Sequence, residues 1–314
     1  MLNSTMKKTF RAALAIVCAG TLMAGTAACG STSSSGGDKV ALLVSTLNNP
    51  FFVDLRDGAQ AAAKDLGVDL MVSDAQNDSS TQQNQAQNAQ SQGAKAVIIN
   101  PVDSDAASPA VAPLLSSSLP VISVDRSVTG EDVTSHIASD NVAGGAQAAD
   151  ELAKAVGEKG KVIILQGTPG AASTRDRGDG FKKEIKKYSG IEVVAEQTAN
   201  FDRAEALDVT TNLMQSNPDV VGIYAENDEM ALGAIQSLGS KAGADVKIFG
   251  FDGTEDGLKA VSNGTMVGTI AQQPKELGKK AVEAAVKAIK GESVEKTESI
   301  EVKTVTKGNV ADFQ

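Results

Sequence analysis

A chain of 314 residues, 41% hydrophobic, 22% charged and 3% aromatic, with two cysteines, one histidine and a formal net charge of −10, has room for two domains of about 100 to 150 residues each. The acidic balance offers no footprint for a phosphate backbone, which excludes a general nucleic-acid binder. Two cysteines and a single histidine build neither a zinc cluster nor a disulfide framework, and no metal or other cofactor is expected.

The first element is a leader. Lys7, Lys8 and Arg11 precede an apolar run over residues 12–25, the pattern of a secretory signal. The run is shorter than the roughly 20 residues that a membrane-spanning helix needs. Cys18 lies inside it, whereas Cys29 follows Thr26-Ala27-Ala28, small residues like those before the modified cysteine of bacterial lipoproteins, with Thr26 where Leu is more common. Residues 1–29 are therefore expected to be a lipoprotein signal peptide, and Cys29 the lipidated first residue of a mature chain anchored outside the cytoplasmic membrane. Cleavage removes three positive and no negative charges and leaves a net charge of −13. Residues 30–37 (GSTSSSGG) have no apolar side chain to bury and read as a flexible tether.

Beyond the tether, β-branched runs alternate with alanine-rich stretches of helical spacing. Strands are expected at 39–46, 68–74, 96–100, 121–125, 161–167, 191–198, 220–226, 246–252 and 265–271, with a further short one around His136. Continuous apolar runs separated by helices indicate parallel sheets covered on both faces, an α/β fold. Asp202 with Glu205 marks one helix start and Pro274 another, and the polar tract 80–92 reads as the solvated face of a helix. So many strands exceed one comfortable sheet, and residues 96–105 (AVIINPVDSD) are echoed by 220–229 (VVGIYAENDE), so two doubly wound lobes are expected.

Ligands of open parallel sheets bind beyond the carboxyl ends of the strands. Here those ends carry Asn48 and Asn49, Asn100, Asp125 with Arg126, Asn227 with Asp228, Asp252, and Gln272. Asn and Asp favour turns and caps whatever the function, yet six ends converging on hydrogen-bonding side chains suit a small polyhydroxylated ligand. The scarce aromatics strengthen this. Phe51 and Phe52 follow the first strand end, and Phe201 precedes Asp202, so ring faces could lie against C–H groups while polar groups hold hydroxyls. No nucleophile elbow, Walker loop, H-E-x-x-H or dinucleotide fingerprint occurs, His136 reads as structural, and no enzyme is expected.

The segments 45–52 (STLNNPFF), 99–105 (INPVDSD), 135–141 (SHIASDN), 226–234 (ENDEMALGA), 249–254 (FGFDGT) and 270–274 (IAQQP) resemble the ribose-binding branch of the periplasmic sugar-binding family that feeds ABC importers. The resemblance runs over about residues 38–310. It implies a type I periplasmic binding protein with one lobe at 38–139 plus 273–301, the other at 140–272 plus 302–314, and three crossings near 139, 272 and 301. It implies that D-ribose or a closely related monosaccharide is the ligand, that the lobes hinge shut on it, and that the closed form, a monomer, docks on membrane permease subunits. Position by position, Asn49, Phe51, Phe52, Asn100, Asp125 and Arg126 would form one half of the pocket, Arg177, Phe201, Asn227 and Asp252 the other, with Gln272 at a crossing. Phe52 and Phe201 would sandwich the sugar ring, while Asp125, Arg126, Arg177 and Asp252 take its hydroxyls. Only the resemblance selects Arg177 over Arg175. The segment 166–170 (QGTPG) departs from the family pattern, which has an apolar residue at the place of Thr168 and no proline. A sensor of a related sugar or of an autoinducer-2-like ligand would use the same pocket. A regulator of the LacI type shares the lobes, but would carry a helix-turn-helix where this chain has its leader.

Overall fold

The computed structural model describes residues 37–314, so the leader and Cys29 lie outside the described residues. Two six-stranded sheets organise the chain. The first takes β1 (Lys39–Val44), β2 (Asp69–Asp74), β3 (Ala96–Ile99), β4 (Val121–Val124), β5 (Ser135–Ser139) and β11 (Thr297–Ile300), in the order β11-β5-β4-β3-β1-β2, all parallel. The second takes β6 (Lys159–Gln166), β7 (Gly190–Thr198), β8 (Val220–Ala225), β9 (Lys247–Asp252), β10 (Gly268–Ala271) and β12 (Lys303–Thr306), in the order β12-β10-β9-β8-β6-β7. Only β12, paired with β10, runs antiparallel in it.

Strand β1 shows why both faces are covered. Val40, Leu42 and Val44 point into a core with α1 (Pro50–Leu66) and α9 (Pro274–Ile289), while Ala41 and Leu43 point into another with α2 (Ser79–Ser91) and α3 (Ser108–Ser116). The second sheet repeats the arrangement. Ile163 and Leu165 of β6 face α6 (Arg203–Ser216), α7 (Asp228–Leu238) and α8 (Glu255–Asn263), and Val162 and Ile164 face α4 (Asn141–Ala155) and α5 (Ala172–Ile185). Alternate residues of an apolar strand thus feed two cores, the signature of a parallel sheet in the middle layer.

The chain passes between the sheets three times: at Asp140 between β5 and α4, at Gln272 and Gln273 between β10 and α9, and at Glu301 and Val302 between β11 and β12. Asp140 N–H donates to Ile300 O at 3.0 Å and Gln273 Nε2 to Glu301 O at 2.9 Å, tying the crossings together.

Two local expectations need adjusting. The tract 80–92 is helical, but not wholly solvated: Gln82 is 3% exposed, donating from Nε2 to Asn100 O at 2.9 Å and accepting from Val102 N at 3.0 Å, and Ala86 and Ala89 are buried. Secondly, β11 (TESI) and β12 (KTVT) have no apolar run that would announce them, being four-residue edge strands.

Candidate functional site

The carboxyl ends of the strands face one another across the gap between the lobes. Each brings its side chain there by a local device. Asn49 caps α1, accepting from Phe51 N at 2.9 Å, and Pro50 takes the first helical position where its missing N–H costs nothing. The helix start then delivers Phe51 and Phe52, both 4% exposed, in an edge-to-face pair with centroids 5.1 Å apart. Asp125 follows β4 in a tight turn with φ 65° and Arg126 N donating to Val124 O at 2.7 Å. Phe201 (φ 59°) and Asp252 (φ 120°) are also forced into the left-handed half of backbone space. Non-glycine residues held there cost about 1 to 3 kcal/mol each, and such strain gathers at sites where a side chain must be aimed.

Asn49, Phe51, Phe52, Asp125 and Arg126 from the first lobe meet Arg177, Phe201, Asn227 and Asp252 from the second around one narrow cleft, with Gln272 of a crossing closing it. Asn100 is not among its lining residues. It is fully buried one layer behind, accepting from Ser45 N at 3.1 Å and donating to Asp125 Oδ2 at 3.0 Å, so it orients the carboxylate. Ser173, which the sequence reading missed, does line the cleft, one helical turn before Arg177 on α5. Thr168 stands outside the cleft lining, its hydroxyl 3.3 Å from Asn200 O. His136 sits in β5 with Nδ1 2.8 Å from Ser123 Oγ.

The charges come as two balanced couples. Arg126 Nε lies 3.7 Å from Asp125 Oδ2 in the first lobe and Arg177 Nη1 lies 3.6 Å from Asp252 Oδ1 in the second, all four side chains being 5% exposed or less. At those separations they attract without saturating one another's hydrogen-bonding capacity. The backbone fixes them instead: Arg126 Nη1 donates to Pro101 O and Val102 O at 3.0 and 3.1 Å, and Arg177 Nη1 to Glu226 O at 2.7 Å, with Arg177 Nε on Asn141 Oδ1 at 2.9 Å. Burial pushes the Asp125 and Asp252 carboxyls up, and the neighbouring guanidinium groups pull them back toward ionisation. The guanidinium of Arg126 lies 5.4 Å from the Phe52 ring centre and 5.5 Å from that of Phe201, while Arg177 stacks at 3.8 Å on Phe251.

Two buried polar atoms of the lining, Arg126 Nε and Gln272 Oε1, have no hydrogen-bond partner among the described residues. Gln272 is otherwise engaged, donating to Asp252 Oδ1 at 2.6 Å. Behind the wall, Asp228 accepts from Thr254 N, Thr254 Oγ1 and Thr269 Oγ1 at 2.8, 3.1 and 2.7 Å, holding the turn that presents Asp252. A donor and an acceptor left open in a cleft that Phe52 and Phe201 also line suit a neutral, hydroxyl-rich ring.

Comparison with known proteins identifies the family. A model of the periplasmic binding protein domain matches residues 40–293. The ribose import binding protein of Salmonella typhimurium is 47% identical over 277 residues, covering 88% of this chain and 93% of its own, and that of Bacillus subtilis is 43% identical, covering 87% and 90%. Among solved structures, an ABC transporter solute binding protein from Bacillus halodurans with bound myo-inositol superposes with a TM-score of 0.84 at 33% identity, covering 90% of this chain and 99% of that one. The two-lobed α/β fold is thus shared along nearly the whole described length, and the chain belongs to the periplasmic binding protein domain family.

Proposed function

We propose that this protein is an extracytoplasmic receptor that captures D-ribose, or a closely related monosaccharide, between its lobes and hands it to an ABC importer. The observation that carries the reading is the pair of open polar atoms, Arg126 Nε and Gln272 Oε1, buried in a cleft flanked by Phe52 and Phe201. Sugar hydroxyls would satisfy both atoms and engage Asn49, Asp125, Arg177, Asn227 and Asp252, while the phenyl faces cover the ring. The ribose import binding proteins among its relatives support the choice of sugar. The protein binds rather than catalyses: its cleft carboxylates are held as acceptors by arginine and amide partners. Lobes 38–139 plus 273–301 and 140–272 plus 302–314 hinge at the three crossings, and the closed monomer is what the permease subunits read.

Titration calorimetry against a panel of pentoses and hexoses tests the assignment. D-ribose is expected to bind with micromolar affinity or better, and allose and psicose at least tenfold more weakly; no heat with ribose beside strong binding of another sugar would transfer the assignment to that sugar. Lipidation of Cys29 supplies the membrane anchor, and no helix among the described residues is long and apolar enough to cross a membrane. One acyl-bearing residue on a tether keeps the receptor at the permease, so Cys29→Ser is expected to move most of the protein from the membrane fraction into the medium.

A further inference from the structure

The loop between β3 and α3 reaches across to the other lobe at a place outside the cleft. Ser104 is fully buried there. Its N–H donates to Gly170 O at 3.0 Å and its Oγ accepts from Ala172 N at 3.1 Å. Gly170 belongs to the segment leading into α5, and Ala172 is the first residue of that helix, which carries Ser173 and Arg177 into the cleft. That helix has no cap of its own: Ala171 stands at the N-cap with no side chain to accept from the first turn. The acceptor comes from the opposite lobe.

The rest of the loop is built to deliver it. Asp103 Oδ1 accepts from the backbone N–H groups of Asp105 and Ala106 at 2.7 and 2.9 Å, and Thr129 N donates to Ser104 O at 2.8 Å. On the facing side Gly170 has φ 87°, and a Cβ there would lie 2.2 Å from Asp103 Oδ2, so the approach needs glycine. This gives the QGTPG segment a role that its place beside the sugar cleft does not. Arg175 Nη1 lies 3.2 Å from Asp105 Oδ2, but both side chains are about half exposed and the pair adds little.

We propose that Ser104 caps α5 in trans only when the lobes are shut, and that this contact, made outside the cleft lining, sets how long the sugar is held. This rests on the receptor reading above. When the lobes part, the Ala172 N–H and Ser104 Oγ return to water, so the bond counts toward the closed state alone. A net hydrogen bond of this kind alters an equilibrium by about two- to twelvefold.

The test uses the full exported chain and two variants. Ser104→Ala removes the acceptor. Ala172→Pro removes the donor from the other lobe, at the first helical position, where proline is tolerated and the preceding Ala171 already has ψ 130°. Stopped-flow release of ribose is expected to be two- to twelvefold faster in each, with the thermal midpoint of the sugar-free protein unchanged within about 1 °C, since no bond within either lobe is lost. In the parent, hydrogen exchange at the Ala172 amide is expected to slow when ribose is added. Release rates equal to the parent in both variants, or an Ala172 amide indifferent to bound sugar, overturn the proposal. If Ser104→Ala does not fold, Ala172→Pro and the exchange measurement decide. A parent that binds no ribose fails the receptor assignment instead, and exchange at Ala172 with the sugar that does bind then judges the cap separately.

Discussion

Glu226 is fully buried behind the cleft wall, and its carboxyl is the group there with the least support. Oε2 accepts from Gly167 N at 2.8 Å, Oε1 has no partner among the described residues, and Gly178 makes room for it. Burial pushes its pKa from 4.5 to about 8, against the pull of the Gly167 N–H, Arg177 and Lys182 and with the push of Glu196. Between those two values the folded chain keeps a proton that the unfolded chain releases, so stability falls as pH rises from about 4.5 to about 8. Glu226→Gln abolishes that fall, because an amide does not ionise, and its oxygen can still accept from Gly167. The variant is expected to match the parent in denaturant unfolding near pH 4.5 and exceed it by about 2 to 5 kcal/mol at pH 8.5; parallel curves at the two pH values would refute the buried-acid account. Nothing in the sequence marked Glu226, since its isolation arises only when Gly167, Gly178 and Tyr224 close round it. By contrast Asn49, Asp125, Arg126, Asn227, Asp252 and Gln272 were legible as residues that end strands, because the sheet rule converts position along the chain into position in space. Arg177 and Ser173 come from a helix face, to which that rule does not apply.

Helix α5 is set by its contact with α4, and the contact is made of glycine. A Cβ on Gly145 would lie 2.2 Å from Arg177 O, and one on Gly180 would lie 2.1 Å from Val142 O. Each helix thus presses its backbone into a gap left by the other, which fixes where the Arg177 side chain emerges. Gly145→Ala gains up to about 1 kcal/mol of helix propensity but forces the pair apart, at a cost of about 1 to 3 kcal/mol for overpacking. The expected result is a thermal midpoint lowered by about 2 to 6 °C together with a roughly tenfold loss of ribose affinity. A drop in midpoint with affinity intact would show that α5 tolerates the shift. The elements themselves were mostly readable: nine apolar runs became strands with ends displaced by a few residues, and the Asp202 cap holds Glu205 N at 2.8 Å as its spacing indicated. What escaped was short and polar. Strands β11 and β12 are placed by pairing with β5 and β10, partners over a hundred and about thirty residues away in sequence, and no local pattern reports that. Gln82 and Gln85 misled for a related reason, since an amide turned inward to backbone groups looks in sequence like one turned to water.

At the level of the molecule, each lobe contributes one Asp and Arg couple, with Phe51 and Phe52 from the first and Phe201 from the second, so neither half alone surrounds a ligand. On the proposed function, that division makes closure the binding event. The couples stay too far apart to hydrogen-bond each other, at 3.7 and 3.6 Å, so a hydroxyl-bearing ring between them would add charge-assisted hydrogen bonds, in a dry space, to those that each group already makes with its own lobe. A ligand shifts such a two-state hinge only by its preference for the shut form, because contacts made by one lobe alone bind equally in both states. Ribose should therefore stabilise and compact the protein together. At a hundredfold excess over Kd the linkage is worth about 2.7 kcal/mol, or roughly 5 to 10 °C in thermal midpoint for a chain of this size. The radius of gyration from small-angle scattering should decrease over the same range of ribose concentration. A rise in midpoint with no change in scattering would mean that the sugar is held by a cleft already closed without it, and the hinge would then have no part in capture.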